Sequence, residues 1–419
     1  MLRTFSTENL KCFPAPTSIE LAPITLLLGR NNSGKSALAR LPYVLARSLG
    51  AEDGPALLLE GDDLDYAASL LDLAHNRSQR PVKWAVQFLD GLEVAAAIVE
   101  DSATHLQIVE YLSIKDGANT IEWKLVSRPD AIGRATYRVT GAGEVTLMFA
   151  AGLPIEAASP VSTREVIAKA RTAFRSLKHR TWYLGPMREE PRRYYRTPQS
   201  PPRFVGPHGE NAAEILALAS ALGARESELT KDISKWFFDQ TGYRLAIESE
   251  GRGTHFSVAL ERGDPVEGAF SVNLADSGQG LGQIFPLVVQ AFFSSQVAER
   301  SAFCILEQPE LHLHPAAHGA IADIILTLQR TNAQSRIIIE THSENLLLRF
   351  RRRIAERSGG LEPAHVVAYW LTPEGDGMKP RPIRFLADGT LSDWPEGVFA
   401  EDYEEILAIR KTLAERRGG

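Results

Sequence analysis

Gly29-Arg30-Asn31-Asn32-Ser33-Gly34-Lys35-Ser36 lies between a short apolar run at residues 24–28 and an Ala/Leu-rich helical pattern at residues 37–49. This is G-x-x-x-x-G-K-[ST] in the strand–loop–helix setting it requires. Glycines there let backbone N–H groups wrap phosphate oxygens, a lysine reaches the outer phosphates, a hydroxyl ligates Mg2+, and the helix N-terminus adds a positive dipole. A chance Gly/Ser/Asn turn is the alternative, and the complete motif in its context argues against it. Gly29, Asn31, Asn32, Ser33, Gly34, Lys35 and Ser36 are therefore candidate nucleotide-binding residues, with ATP and Mg2+ as the expected cofactors.

A second group of chemically able residues comes far downstream. Residues 301–306 read as a buried strand ending in Glu307-Gln308-Pro309-Glu310-Leu311-His312-Leu313-His314-Pro315. A carboxylate delivered at the C-terminal end of such a strand is what a phosphate-loop enzyme needs to hold Mg2+. Glu307 fits that role with a side chain one methylene longer than the usual Asp, so Ser36 and Glu307 are the expected metal residues. Gln308 accepts no proton from water but can orient one, which leaves Glu310 as the nearest carboxylate able to act as base. Residues 335–339 read as another buried strand, ending in Glu340-Thr341-His342-Ser343-Glu344. A lone His after an apolar run is more often a core or surface residue. Its order after Glu307 makes His342 a candidate for polarising a γ-phosphate.

Between these motifs, Ser277, Gly278, Gly280 and Gly282 precede an apolar helical run at residues 284–293. Glycines and a Ser before a helix suit a second anion-binding N-terminus; a flexible Gly-rich turn reads equally well.

These residues need an α/β scaffold, and the chain supplies one. Its 419 residues are 44% hydrophobic, enough for a large core. Residues 81–149 alternate apolar and polar positions between Gly-containing turns and read as antiparallel strands, whereas residues 161–180 and 211–240 read as helices. No heptad pattern is sustained, so no long coiled-coil arm is expected. A net charge of −6 gives no bulk positive field for nucleic acid. Two local basic segments remain: Arg188, Arg192, Arg193 and Arg196 around Tyr194 and Tyr195, and Arg349, Arg351, Arg352, Arg353 and Arg357. Either can contact DNA or RNA, although charge runs are more often solvated faces. Cys12 and Cys304 are too few for a disulfide framework. With no apolar run of membrane length and no signal-like start, a cytoplasmic protein is expected.

In order along the chain, the phosphate loop, the Ser/Gly/Gln segment, the carboxylate strand and the His strand resemble the head of ABC-like ATPases, in the branch that holds the OLD-family, RecF-type and SMC-type enzymes. Asn9-Leu10-Lys11-Cys12-Phe13, Tyr183-Leu184-Gly185-Pro186-Met187-Arg188, Val205-Gly206-Pro207-His208-Gly209-Glu210 and the run from Glu307 to Pro315 carry the same resemblance. The tail Asp393-Trp394-Pro395-Glu396-Gly397-Val398-Phe399 resembles the C-terminal domain of a group of bacterial stand-alone AAA-type ATPases.

The resemblance implies an α/β P-loop NTPase fold, an ABC-type head with an antiparallel β subdomain and a helical insert. It implies four parts: an N-terminal lobe at 1–150, a helical and linker region at 151–265, the remainder of the ATPase core at 266–358, and a small C-terminal domain at 359–419. Two heads would meet head to tail, with Ser277, Gly278, Gly280 and Gly282 acting in trans on the partner's ATP. Gly282 stands where the family's Gly-x-Ser-Gln has its Ser, and Gln308 where a catalytic Glu is usual. His75, Asn76 and Gln79 fall where the glutamine loop belongs. The pair His312 and His314 can chelate a metal, but the family places a dimer-contacting loop there. The short remainder after His342 lacks the Glu and Asp-x-Asp pattern of OLD-family nucleases, so no nuclease activity is expected. The implied function is an ATPase that dimerises with ATP and couples nucleotide state to nucleic acid or a separately encoded effector, in anti-phage defence or DNA repair. The alternatives are a slow or inactive nucleotide-dependent scaffold and a small-molecule kinase; a kinase needs neither the His342 strand nor the trans segment.

Overall fold

A computed structural model describes residues 1–61, 65–221, 228–250, 254–262, 270–296, 301–330 and 334–393. Its centre is a six-stranded sheet in the order Thr181–Leu184, Phe303–Glu307, Arg336–Glu340, Ile24–Gly29, Val366–Glu374 and Gly377–Arg384. The first five strands run parallel, and the last pairs antiparallel at the edge. Parallel strands need both faces covered, and their alternation supplies two apolar faces. Ile24, Leu26, Leu28, Leu306, Ile337 and Ile339 join one core, while Leu27, Phe303, Ile305 and Ile338 join the other.

The second of these faces is covered by the helix Lys35–Leu49, the helix Val161–Arg180 and an eight-stranded antiparallel sheet. That sheet contains a meander from Val82–Phe88 to Gly143–Leu147, as the alternation at 81–149 predicts, and the N-terminal strand Leu2–Glu8 is inserted between Val82–Phe88 and Thr17–Glu20. The first face is covered by Gln279–Gln296, His318–Arg330 and Glu344–Ala355. The same core takes in Ala212–Ala221 and Glu228–Thr241.

Two observations differ from the expected four-part division. The region expected to be helical and linker at 151–265 also holds an antiparallel sheet, in which His255–Arg262 pairs with Arg244–Glu250, Tyr195–Arg196 and Phe270–Asn273. The described part of 359–419 is no separate domain. Val366 to Leu371 hydrogen-bond beside the phosphate-loop strand, because Val366, Ala368 and Ile383 need the central core to bury their side chains. The resemblance of the tail at 394–399 lies outside the described residues. Among the described residues no helix is long and apolar enough to cross a membrane.

Candidate functional site

The three central strands end together. Glu307 pairs in register with Glu340, and Glu340 with Leu27, two residues before the phosphate loop begins. Ligands bind at the carboxyl ends of parallel strands, and here those ends carry the loop, Glu307 and Glu340.

The loop geometry is set by residues in left-handed backbone. Asn32 has φ 62° and Gly34, the residue that caps the following helix, has φ 86°. A side chain at Gly34 would also collide with Cys12 Sγ and the Phe13 ring, so the chain before the first turn closes the loop from below. Lys35 is 3% exposed, and its ammonium donates to the carbonyls of Gly29 at 3.0 Å and Arg30 at 2.8 Å. Burial lowers its pKa from the usual lysine value, against the opposing pull of Glu340 and Glu310. The ammonium thus rests on carbonyl oxygens that phosphate oxygens can replace. Asn31 is exposed, and Ser33 Oγ is buried without a hydrogen-bond partner among the described residues.

Glu340 and Glu310 act on this lysine, Glu307 ends the strand beside that of Glu340, and the three carboxylates are each in a different condition. Glu307 is saturated: Arg40, one turn into the phosphate-loop helix, donates Nε to Oε1 and Nη2 to Oε2, both at 2.6 Å. The Tyr183 hydroxyl lies beside it. Glu340 lies beside the Ser36 hydroxyl, which favours its charged form, but its Oε2 is buried with no partner among the described residues. Burial, followed by repulsion from Glu307, pushes Glu340 up to about 7. Glu310 accepts the Thr341 hydroxyl and the His342 N–H on Oε1, each at 2.7 Å, while its Oε2 is also buried and unpartnered. Sequence reading passed over Arg40 and Glu340. The signals were an arginine five residues after Lys35 and a glutamate ending an otherwise apolar strand.

His342 lies at the surface, yet partial desolvation together with the Lys35 charge holds its pKa below the usual histidine value. It is therefore a neutral donor or acceptor near neutral pH. Gln308 sits at φ 43°, with its N–H on the Glu340 carbonyl at 2.7 Å. A non-glycine residue there costs about 1 kcal/mol or more, which the bond to the neighbouring strand offsets.

The Ser/Gly segment is the start of the helix Gln279–Gln296. Ser277 Oγ donates to the Leu274 carbonyl at 2.7 Å, and Gly278 faces open space. Gly280 lies against Leu313, and Gly282 is buried under Pro191, where a Cβ would come within 2.7 Å of the proline ring. A Ser at 282 does not fit this packing. Arg188 joins the helix to the carboxylate loop: Nη1 donates to the carbonyls of Gln283 at 3.0 Å and Pro309 at 3.4 Å, and Nη2 to Gln308 at 3.2 Å. Burial lowers it to about 10, still charged at neutral pH.

Both basic segments are largely engaged. Arg188 is buried, Arg192 pairs with Glu189, and Arg193 forks onto Asp276. Arg349 and Arg353 share Asp323, Arg352 pairs with Glu356, and Arg351 donates to the Gly389 carbonyl. Tyr195 is buried, although Tyr194 is exposed. His314 caps a turn by accepting the Ala316 N–H, and among the described residues no three or more His, Cys, Asp or Glu side chains are grouped to hold a metal. His75 is buried against the Lys11 carbonyl and Gln79 is exposed.

Residues 212–347 match the AAA ATPase domain family, a segment that spans the Ser/Gly helix start, the carboxylate strand and the His342 strand. No curated protein matches the chain. Among solved structures, an SMC head bound to the C-terminal winged-helix domain of ScpA aligns over 91% of this chain and 97% of its own, at 12% identity and TM-score 0.46. The SMC head domain from Thermotoga maritima covers 91% of this chain and 98% of its own, at 10% identity and TM-score 0.42. An SMC head with an extended coiled coil, bound to the C-terminal domain of ScpA and derived from Pyrococcus furiosus, covers 98% and 99%, at 9% identity and TM-score 0.44. The chain has the P-loop NTPase fold, with an antiparallel sheet beside the phosphate loop.

Proposed function

We propose that this chain is an ATP-hydrolysing switch that binds ATP with Mg2+ at the phosphate loop, pairs with a second copy when ATP is bound, and signals that state to a separate partner. The observation that carries the reading is the meeting of Lys35, Ser36, Glu310, Glu340 and His342 at the carboxyl ends of adjoining parallel strands. On this reading Lys35 exchanges the carbonyls of Gly29 and Arg30 for phosphate oxygens, and the loop N–H groups hold the remaining oxygens. Gln308 orients the attacking water and Glu310, through its unpartnered oxygen, takes the proton. His342 stays neutral and hydrogen-bonds the terminal phosphate. Mg2+, when bound, neutralises charge on the outer phosphates. The residues present suit such an ion: a hydroxyl, a nearby carboxylate and an orphaned carboxylate oxygen are hard donors.

The helix start is exposed at Gly278 and supports a trans role, with Arg188 linking its position to that of Gln308. Because most arginines in the two basic segments already have partners, a protein effector is favoured over DNA or RNA as the receiver, in the cytoplasm and in a defence or repair setting. Light scattering after size-exclusion chromatography tests the switch: a mass that doubles with ATP and Mg2+ supports it, and a mass unchanged at saturating nucleotide would refute it.

A second reading has its own observation. Glu307 is bound on both oxygens by Arg40 and Gln308 is no base, which favours a scaffold that holds ATP and hydrolyses it slowly. Dimerisation with ATP at negligible turnover would select it.

A further inference from the structure

The chain presents two carboxylates at adjacent strand ends, and they are not equivalent. Glu307 has each oxygen on a different guanidinium nitrogen, with the Tyr183 hydroxyl beside it. For a cation to bind there it must displace Arg40 or sit beside its positive charge. Glu307 is 1% exposed, so losing that partner would leave a buried charge unpaired. Glu340 is in the opposite condition. It is 3% exposed and lies beside the Ser36 hydroxyl, and its Oε2 has no donor among the described residues. An orphaned carboxylate oxygen in the interior is costly, and a purely structural role for Glu340 would not require one.

We propose that Ser36 and Glu340, rather than Glu307, form the protein's half of a divalent-cation seat, with Arg40 holding Glu307 out of it. This rests on the nucleotide reading, because the remaining ligands would be phosphate oxygens and water. One hydroxyl and one carboxylate suit Mg2+, which keeps several waters and is held by one or two carboxylates plus substrate phosphates. Both oxygens of Glu307 are taken by Arg40, so the cation meets the carboxylate of the pair whose Oε2 has no donor among the described residues. Glu307, held on both oxygens by Arg40, takes no part in the seat.

The test is Mn2+ titration followed by electron paramagnetic resonance, with a non-hydrolysable ATP analogue saturating the full-length chain. Binding of that analogue without metal is measured separately. Glu340→Gln should weaken Mn2+ binding by about tenfold or more and leave metal-free nucleotide binding in place. Glu340→Asp, which keeps the charge, should lose less. Glu307→Gln should change Mn2+ binding by less than about threefold. If that variant does not fold, the neutral pair Arg40→Met with Glu307→Gln takes its place. Equal Mn2+ affinity in Glu340→Gln and wild type, or a larger loss in the Glu307 variants, would overturn the seat while nucleotide binding stands. A wild-type chain that binds no nucleotide would overturn the underlying reading and the seat with it.

Discussion

Replacing Glu340 by glutamine should stabilise the metal-free protein, and by an amount that grows with pH. Burial and the Glu307 charge raise this carboxyl from its ordinary 4.5 to about 7. The folded state therefore keeps a proton that the unfolded chain releases, and stability falls as pH rises from 4.5 through 7. At about 1.4 kcal/mol for each pH unit, the loss is about 3 kcal/mol by pH 8. Glutamine keeps the shape but has nothing to ionise. At pH 5 the variant and wild type should unfold at similar urea concentrations, and by pH 8 the variant should be ahead by about 3 kcal/mol. The assay is urea unfolding at pH 5, 6, 7 and 8 in the presence of chelator. A variant that loses stability at every pH, or a difference that does not widen with pH, would refute the argument that a carboxylate is held there against its solvation. Such a group is the kind of stability cost expected at a functional site.

Arg40→Ala should cost about 3 kcal/mol in urea unfolding, because it leaves the buried Glu307 unpaired, and adding Glu307→Gln should recover most of that loss. Arg188→Met removes the charged donor shared by the carbonyls of Gln283, Gln308 and Pro309. A destabilisation of about 3 kcal/mol is expected, together with weaker ATP-driven pairing by light scattering. With the His342 pKa held below its ordinary 6.5, turnover in wild type should hold from pH 8 down to 7 and fall at lower pH as the ring protonates. His342→Ala should lower turnover across the range and abolish that acid limb.

Much of the scaffold can be read in the sequence because periodicity and burial are coupled. The even-numbered and odd-numbered residues of 24–28 and 303–306 go to opposite cores of the parallel sheet, and the alternation at 81–149 appears as an antiparallel meander. The phosphate loop is equally legible, since Gly34 and Lys35 work through local backbone geometry and a contiguous motif. Contacts between distant segments were not legible. Arg40 meets Glu307 across 267 positions, and nothing local to either residue announces the pair. Arg188 read as a surface charge within a basic run, yet it is buried because the Ser/Gly helix and the carboxylate loop close over it. Glu340 read as the polar end of an apolar strand; only the pairing of that strand with Ile24–Gly29 brings it beside Ser36. The hairpin Val366–Glu374 and Gly377–Arg384 was assigned to a domain of its own because sequence distance hides that its apolar side chains complete the central core.

The most direct measurement is calorimetric titration of ATP with Mg2+ into the wild-type chain and into Lys35→Ala. The account predicts saturable binding of one nucleotide per chain in wild type and loss of binding beyond detection when the Lys35 ammonium is removed. Absence of binding by a folded wild-type chain, or equal affinity in Lys35→Ala, would contradict it.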